Sequence, residues 1–350
     1  PASQKDLPLP AETERIMGVE AVATPFRCLL VVLLAVLPLV SARIILRSDP
    51  CDPASRRSNQ RSDQMTVLMS GYSTARIPLL ESIAVSYAAS PVVSSVLVLW
   101  GDPTTPRRVL TDLARNLTGL ATAFNPASRI HVIRQRNDSL NARFLPRPSL
   151  VTTEAVLVCD DDVEVDAESV EFAFRIWGEN RDRLIGMFGR SHGLDLIGRR
   201  WIYTVHPDRY SIVLTKFMVM KAEYLREYTC GAHWKRMRAV VERERNCEDI
   251  LMNVIVADVV GAGPVLVGAH RARDWGDSRN DEAAEGGATE AGLSSRRGEH
   301  RKRRGECIGE FHRLLGRMPL RYSYGKVVDS VGEQGLCNKA GRLVFCDHNG

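Results

Sequence analysis

Asp160, Asp161 and Asp162 follow directly on the apolar run 155–159 (AVLVC). Alternate side chains at the end of an extended strand point the same way, so Asp160 and Asp162 can face one site while Asp161 faces away. Two close carboxylates repel one another unless a cation neutralises them. Ligands that offer only oxygen suit hard ions, Mn²⁺ or Mg²⁺. Such an ion bridges two phosphates and takes up the charge of a departing diphosphate. The competing reading is a polar turn or a helix cap, because Asp166 can open a helix. The position of the triplet, closing an apolar strand, favours the metal.

Two further groups have the right chemistry. Glu248 and Asp249 stand beside Cys247 at the start of a helical pattern. They read equally as charges favoured by the helix dipole and as carboxylates that serve a sugar's anomeric carbon as base, nucleophile or cation stabiliser. The densest positive run is 296–304 (RRGEHRKRR). Most such runs are solvated faces or sorting patches. Beside a metal–diphosphate site, however, an arginine that forks onto phosphate oxygens is physically apt.

These residues need elements to hold them. Residues 65–70 (MTVLMS), 95–100 (SVLVLW), 130–134 and 155–159 read as strands. Residues 78–89 and 106–117 read as helices between them, the second with Pro at its first turn. Runs that are apolar throughout imply strands covered on both faces, and the strand–helix alternation implies a doubly wound α/β domain. Ligands in such sheets sit beyond the carboxyl ends of the strands. Residues 70–73, Gly101, Asp102 and the aspartate triplet should therefore share one crevice. Further along, 185–188, 201–204 and 217–220 read as strands and 246–257 as a helix capped by Asn246. Residues 274–304 lack apolar periodicity and read as a mobile loop.

Net charge is only +5, so a general polyanion-binding role is not implied and nucleic acid is not an expected partner. Residues 28–42 carry no charge and lie between Arg27 and Arg43. With residues 44–46 the segment approaches the roughly 20 residues that cross a bilayer. It reads as an uncleaved signal-anchor or as a signal peptide cleaved near Ala42. Asn116-Leu117-Thr118 and Asn137-Asp138-Ser139 are glycosylation sequons. Apart from Cys28 and Cys159, six cysteines remain, an even number compatible with bridges in an oxidising compartment.

The segments SGYSTARIPLL, VLVLWG, SLNARFLPR, AVLVCDDDVEVD, FAFRIW, DRYSIVLTKF, RNCEDILMN and GLSSRRGEHRKRRGECI together resemble the exostosin-like glycosyltransferases, family 64. The resemblance implies an α/β GT-A-type nucleotide-diphospho-sugar transferase fold, Rossmann-like with a mixed central sheet, and metal-dependent transfer with retention. Residues 272–277 (ARDWGD) and 322–337 resemble the plant branch that mannosylates glycosylinositol phosphorylceramides. That implies GDP-mannose as donor, a glycosphingolipid acceptor and a Golgi membrane setting. The layout would then be a tail (1–27), a type II signal-anchor (28–46), a stem (47–64) and a lumenal catalytic domain (65–350). A UDP-N-acetylhexosamine donor is the alternative enzyme reading, and a non-catalytic sugar-binding or adhesion protein the alternative of another class.

Carried over by motif, Asp160 and Asp162 would ligate the metal and Asp161 would complete the donor-binding triplet. Asp249 matches the acidic residue at the catalytic position. Arg297 matches the arginine near the donor diphosphate, with catalytic and donor-binding roles. Tyr72 and Arg143 match positions lining the nucleotide pocket, and the resemblance pairs Cys247 with Cys307. Two departures stand out. Thr74 occupies a place where family members often have Arg, with Arg76 two residues later, and Trp100-Gly101-Asp102 replaces a Trp-Asn-Asn form.

Overall fold

The computed structural model describes residues 49–52, 59–124, 129–276, 297–329, 336–339 and 342–345. The chain divides between Asp49 and Pro50, and the architecture below is that of Pro50 onward. The apolar segment 28–46 lies outside the described residues, among which no helix is long and apolar enough to cross a membrane.

Four parallel strands carry the first half: β1 (Arg61–Gly71), β2 (Val93–Trp100), β3 (Arg129–Arg134) and β4 (Thr153–Asp160). β5 (Val163–Val165) leads away from the triplet into a helix, and β6 (Ile185–Gly186) starts the second half. A hairpin follows, β7 (Gly189–Asp195) with β8 (Arg200–Thr204). The short β9 (Arg209–Tyr210) and β10 (Ile212–Val213) precede β11 (Phe217–Lys221). β12 (Val265–Leu266) completes a seven-stranded sheet among the described residues, ordered β12-β6-β11-β4-β1-β2-β3. Since β11 runs antiparallel to β4 and β6, the sheet is mixed.

Why these segments form strands is visible in their burial. On β1, Met65, Val67 and Met69 pack to one side of the sheet while Leu68 packs to the other, and β4 alternates in the same way. Both faces are apolar because both are covered. Helices α1 (Ile77–Ala89), α2 (Arg107–Phe124) and α3 (Ala167–Glu179) lie against one face. Helices α4 (Glu223–Cys230), α5 (Lys235–Glu244), α6 (Glu248–Val260) and α7 (Arg297–Leu315) lie on the other. From Glu248 to Ala257 every residue of α6 is buried. A helix apolar on all sides belongs in the interior, and α6 takes its two N-terminal carboxylates there with it.

Several expectations need correction. The segment 185–188 is a strand only over Ile185–Gly186, and the first strand of the hairpin was not foreseen. Residues 274–304 are not one loop. Ala272–Asp274 is strand β13, paired with β5, and residues 297–304 form the first turns of α7. Residues 277–296 lie outside the described residues. The residue capping α6 is Cys247 rather than Asn246.

Among the described residues there are two disulfides, Cys51–Cys230 and Cys247–Cys307, and Cys159 is a free, buried thiol. β14 (Leu336–Lys339) and β15 (Arg342–Phe345) form an antiparallel hairpin.

Candidate active site

The carboxyl ends of β1, β2 and β4 lie side by side, with Ser70 in register with Asp160 and Gly71 with Trp100. The chain leaves β1 through Tyr72, whose ring is exposed, and a Cβ placed on Gly101 would lie 3.4 Å from that ring. It then enters the 3-10 turn Thr74–Arg76. From there Arg76 forks onto two carboxylates, Asp161 at 2.9 Å and Asp162 at 2.8 Å. Asp161 is turned inward and buried, and burial pushes its carboxyl up to about 7 against the pull of Arg76. Its Oδ2 has no hydrogen-bond partner among the described residues. Burial, and then the charge of Asp160, raises Asp162 as well.

A second arginine serves Asp160. Arg143 sits in the 3-10 turn Leu140–Phe144, which Asn141 holds in place by donating to the Arg238 carbonyl at 3.1 Å and accepting from the Tyr228 hydroxyl at 2.6 Å. Its Nη2 donates to Asp160 Oδ1 and to Ser70 Oγ, each at 2.7 Å. Its Nη1 donates to Glu248 Oε1 at 3.1 Å and to Thr215 Oγ1 at 2.5 Å. Burial alone would lower this guanidinium, but Asp160 and Glu248 outweigh it and hold it above the ordinary arginine value. Burial drives Glu248 up to about 7, assisted by Asp249 and opposed by Arg143 and Arg304.

Asp249 has its own arginine. Arg304 Nη2 donates to Asp249 Oδ2 at 2.5 Å, and both side chains are buried. Arg304 Nη1 also donates to Asn246 Oδ1 at 3.0 Å, and the guanidinium lies over the Tyr203 ring, 4.4 Å from its centroid. The corner before α6 is left-handed at Arg245 (φ 48°) and Cys247 (φ 77°). The disulfide ties that corner to Cys307, three residues beyond Arg304, and so fixes α7 against α6. His300, half-buried one turn earlier, is pulled down by burial and then by Arg304.

The triplet also has a roof. Trp275 N–H donates to the Asp162 carbonyl at 2.8 Å, and a Cβ on Gly276 would lie 2.5 Å from Asp162 Oδ2. Lys216 forms an ion pair with Asp274 beside it.

Five carboxylates thus meet three arginines: Asp160, Asp161, Asp162, Glu248 and Asp249 against Arg76, Arg143 and Arg304. That excess of negative charge suits a hard cation. Asp160 and Asp162 are the partly exposed members, with 28% and 16% of their side chains accessible. Asp160 commits Oδ1 to Arg143 and Asp162 commits Oδ2 to Arg76, so each has a second oxygen to offer. No group of three or more His, Cys, Asp or Glu among the described residues is arranged as a metal site. A cation here would complete its shell with water and phosphate oxygens.

The family model for the glycosyl transferase family 64 domain matches residues 65–332. The chain belongs to that family. As a family 64 glycosyltransferase it requires a nucleotide-sugar donor and an acceptor. It is 61% identical over 306 residues to glycosyltransferase family protein 64 C3 of Arabidopsis thaliana, covering 86% of this chain and 91% of that one. It is 29% identical to glycosylinositol phosphorylceramide mannosyl transferase 1 of the same plant, covering 79% of each. Similarity to exostosin-1b of Danio rerio is 32%, over 70% of this chain and 30% of that longer one.

Tyr72, Arg143 and the triplet, singled out from the sequence of this glycosyltransferase, come together at one end of its sheet. Asp249 joins them through its neighbour Glu248 and Arg143. Arg297 opens α7; its side chain lies outside the described residues, so the structure gives it no contact. The arginine on Asp249 is Arg304, seven residues or about two turns later. Arg76 and Arg304 were both missed as members of the site. For Arg304 one signal was available, its place three residues before a cysteine in an otherwise solvated run. For Arg76 the signal was its displacement from the usual arginine position.

Proposed function

We propose that this family 64 enzyme has the GT-A arrangement and moves mannose from GDP-mannose onto a glycosylinositol phosphorylceramide headgroup, with metal dependence and retention of configuration. The observation that carries the reading is the run of ion pairs at the carboxyl ends of β1 and β4, which leads from the triplet through Arg143 to Glu248, the neighbour of Asp249. The name of the relative at 29% identity supports the transferred mannose and the acceptor.

Asp160 and Asp162 would hold Mn²⁺ or Mg²⁺, which when bound supplies positive charge to the leaving diphosphate. Arg143 holds Asp160 at the strand end, and Arg76 holds Asp162 while neutralising Asp161. Tyr72, exposed beside Gly101, offers its ring to the nucleotide base. Asp249, oriented by Arg304, would sit under the sugar to stabilise the oxocarbenium-like centre or to orient the acceptor hydroxyl. That hydroxyl attacks from the face the diphosphate leaves, which gives retention. Arg297, at the start of the helix that carries Arg304, would add charge to the leaving diphosphate. The apolar segment 28–46, uncharged as far as residue 42, and the two disulfides support a type II Golgi enzyme with its catalytic domain in the lumen.

The stereochemistry tests the reading. Proton NMR of the first product formed from GDP-α-mannose in the presence of Mn²⁺ should show an α-linked mannose. A β-linked first product would overturn the retaining mechanism, and turnover undiminished by EDTA would overturn the metal.

A further inference from the structure

The β7–β8 hairpin carries an apolar tip that faces solvent: Ile197 is 99% exposed and Leu196 78%. Leu194 and Ile202, one on each strand, are also exposed. The turn is a built one. The Asp195 carboxylate accepts from the backbone N–H groups of Ile197 at 3.1 Å and Gly198 at 3.0 Å. A Cβ on Gly198 would lie 2.5 Å from that carboxylate, and Arg199 is left-handed at φ 47°. Asp195 also takes Arg200 at 3.4 Å, so its charge is used within the turn. Arg199 and Arg200 are exposed directly after the apolar tip.

At its other end the hairpin is packed hard on the active site. Gly305 of α7 lies so near β8 that a Cβ would come within 2.9 Å of the Trp201 carbonyl, and Tyr203 lies under Arg304. Ile197 is six residues from Tyr203, within about 20 Å even fully extended. The tip is therefore a projection rigidly joined to the Asp249–Arg304 pair.

We propose that this hairpin is a membrane-contacting finger. Leu196 and Ile197 enter the boundary between headgroups and acyl chains, and Arg199 and Arg200 meet the phosphates of an anionic lipid surface. Three observations favour a bilayer over a protein partner. The apolar surface is a convex tip rather than a broad flat patch. Its flanking charges are arginines, which suit phosphate oxygens and the headgroup layer. The chain also carries the segment 28–46, uncharged from residue 28 to residue 42, which reads from its sequence as a signal-anchor. The inference rests on the membrane setting and lipid acceptor of the proposed function and not on the donor. Its consequence is that a lipid headgroup reaches the site from a bilayer surface held at a fixed distance.

The test uses the full chain reconstituted in vesicles of phosphatidylcholine with phosphatidylserine. One variant, Ile197→Cys, carries a small apolar fluorophore at the tip, and a second, Leu120→Cys, carries it on α2. Lipid spin-labelled on its acyl chain should quench the tip several-fold more than the α2 position. Arg199→Glu, which leaves the Asp195–Arg200 contact of the turn in place, should cut that quenching toward the α2 level. Donor cleavage retained by each labelled chain verifies folding, and a Leu196→Cys label repeats the measurement if the first variant misfolds. Equal quenching at both positions overturns the proposal. Energy transfer between labelled tips that rises with protein density, without lipid quenching, assigns the tip to a second copy and overturns it too.

Discussion

The carboxylate of Asp249 and the guanidinium of Arg304 meet at 2.5 Å across 55 residues of chain, inside a protein that buries both. Neither charge is tolerable there without the other. The pair explains why a highly basic run contains one arginine that does not face water.

Arg304 should matter far more than its neighbours. Arg304→Lys keeps the charge but loses the fork that joins Asn246 and Asp249. We expect kcat to fall about a hundredfold, the scale of losing one oriented charge at a reacting centre. Arg301→Ala and Arg303→Ala, at exposed and half-buried positions, should stay within a few-fold of wild type. Equal losses from all three would mean that the run acts as a diffuse electrostatic patch. Placing Arg297→Ala in the same series compares the two ends of one helix face.

How much of this was legible in advance follows from the residue types. The strand ends and the triplet were readable because 155–159 and 96–100 are apolar throughout and leave no competing period. The helix α7 was not. Its buried side presents Arg304, Gly305, Cys307, Ile308 and Phe311, so the inward face mixes a charge and a glycine with the apolar residues and masks the helical period. Glycine usually argues against a helix interior, yet Gly305 is what lets the helix reach β8. Arg76 was passed over because sequence spacing cannot show one guanidinium bridging two adjacent aspartates. Asn246 looked like a cap by type, but its Oδ1 accepts from Cys247 N–H and from Arg304 instead.

Removing the metal ligand gives the second prediction. Asp162→Asn deletes a charged ligand and relieves repulsion with Asp160, so the fold should survive while donor turnover is largely lost. Differential scanning with GDP and Mn²⁺ should raise the wild-type Tm and leave that of the variant nearly unchanged. Transfer that persists through both the substitution and EDTA would contradict the metal assignment.

The Cys247–Cys307 bridge closes a loop spanning 60 positions. By chain entropy such a closure is worth up to about 4 kcal/mol. The double variant Cys247→Ser, Cys307→Ser should unfold at lower denaturant, and its activity per folded molecule should also fall because α7 loses its tether beside Arg304. An unchanged midpoint, or both cysteines recovered as free thiols on non-reducing peptide mapping of the wild type, contradicts this.

His192 predicts an acid limb in stability. It is buried, stacked on Tyr322 at 4.5 Å between ring centroids, and paired with Ser211 Oγ at 2.7 Å. Burial, with Arg209 and Arg321 nearby, pulls it from 6.5 to about 4. The unfolded chain then binds the extra proton first, so stability is full above pH 6.5 and declines as pH falls toward 4. The loss is at most ~3 kcal/mol. In His192→Gln the Tm will be lower at every pH, but its decline over this window should flatten. An acid slope equal to that of wild type would assign the limb to other groups.

The central claim is that the ion-paired crevice at the ends of β1 and β4 cleaves a GDP-sugar with a divalent ion. Nucleotide release from GDP-mannose and from UDP-N-acetylhexosamines, each with and without Mn²⁺, tests it most directly. The account predicts Mn²⁺-dependent GDP release that exceeds UDP release and is lost in Arg304→Lys. Preferential UDP release, or release of neither nucleotide by the folded enzyme supplied with acceptor lipid, would contradict it.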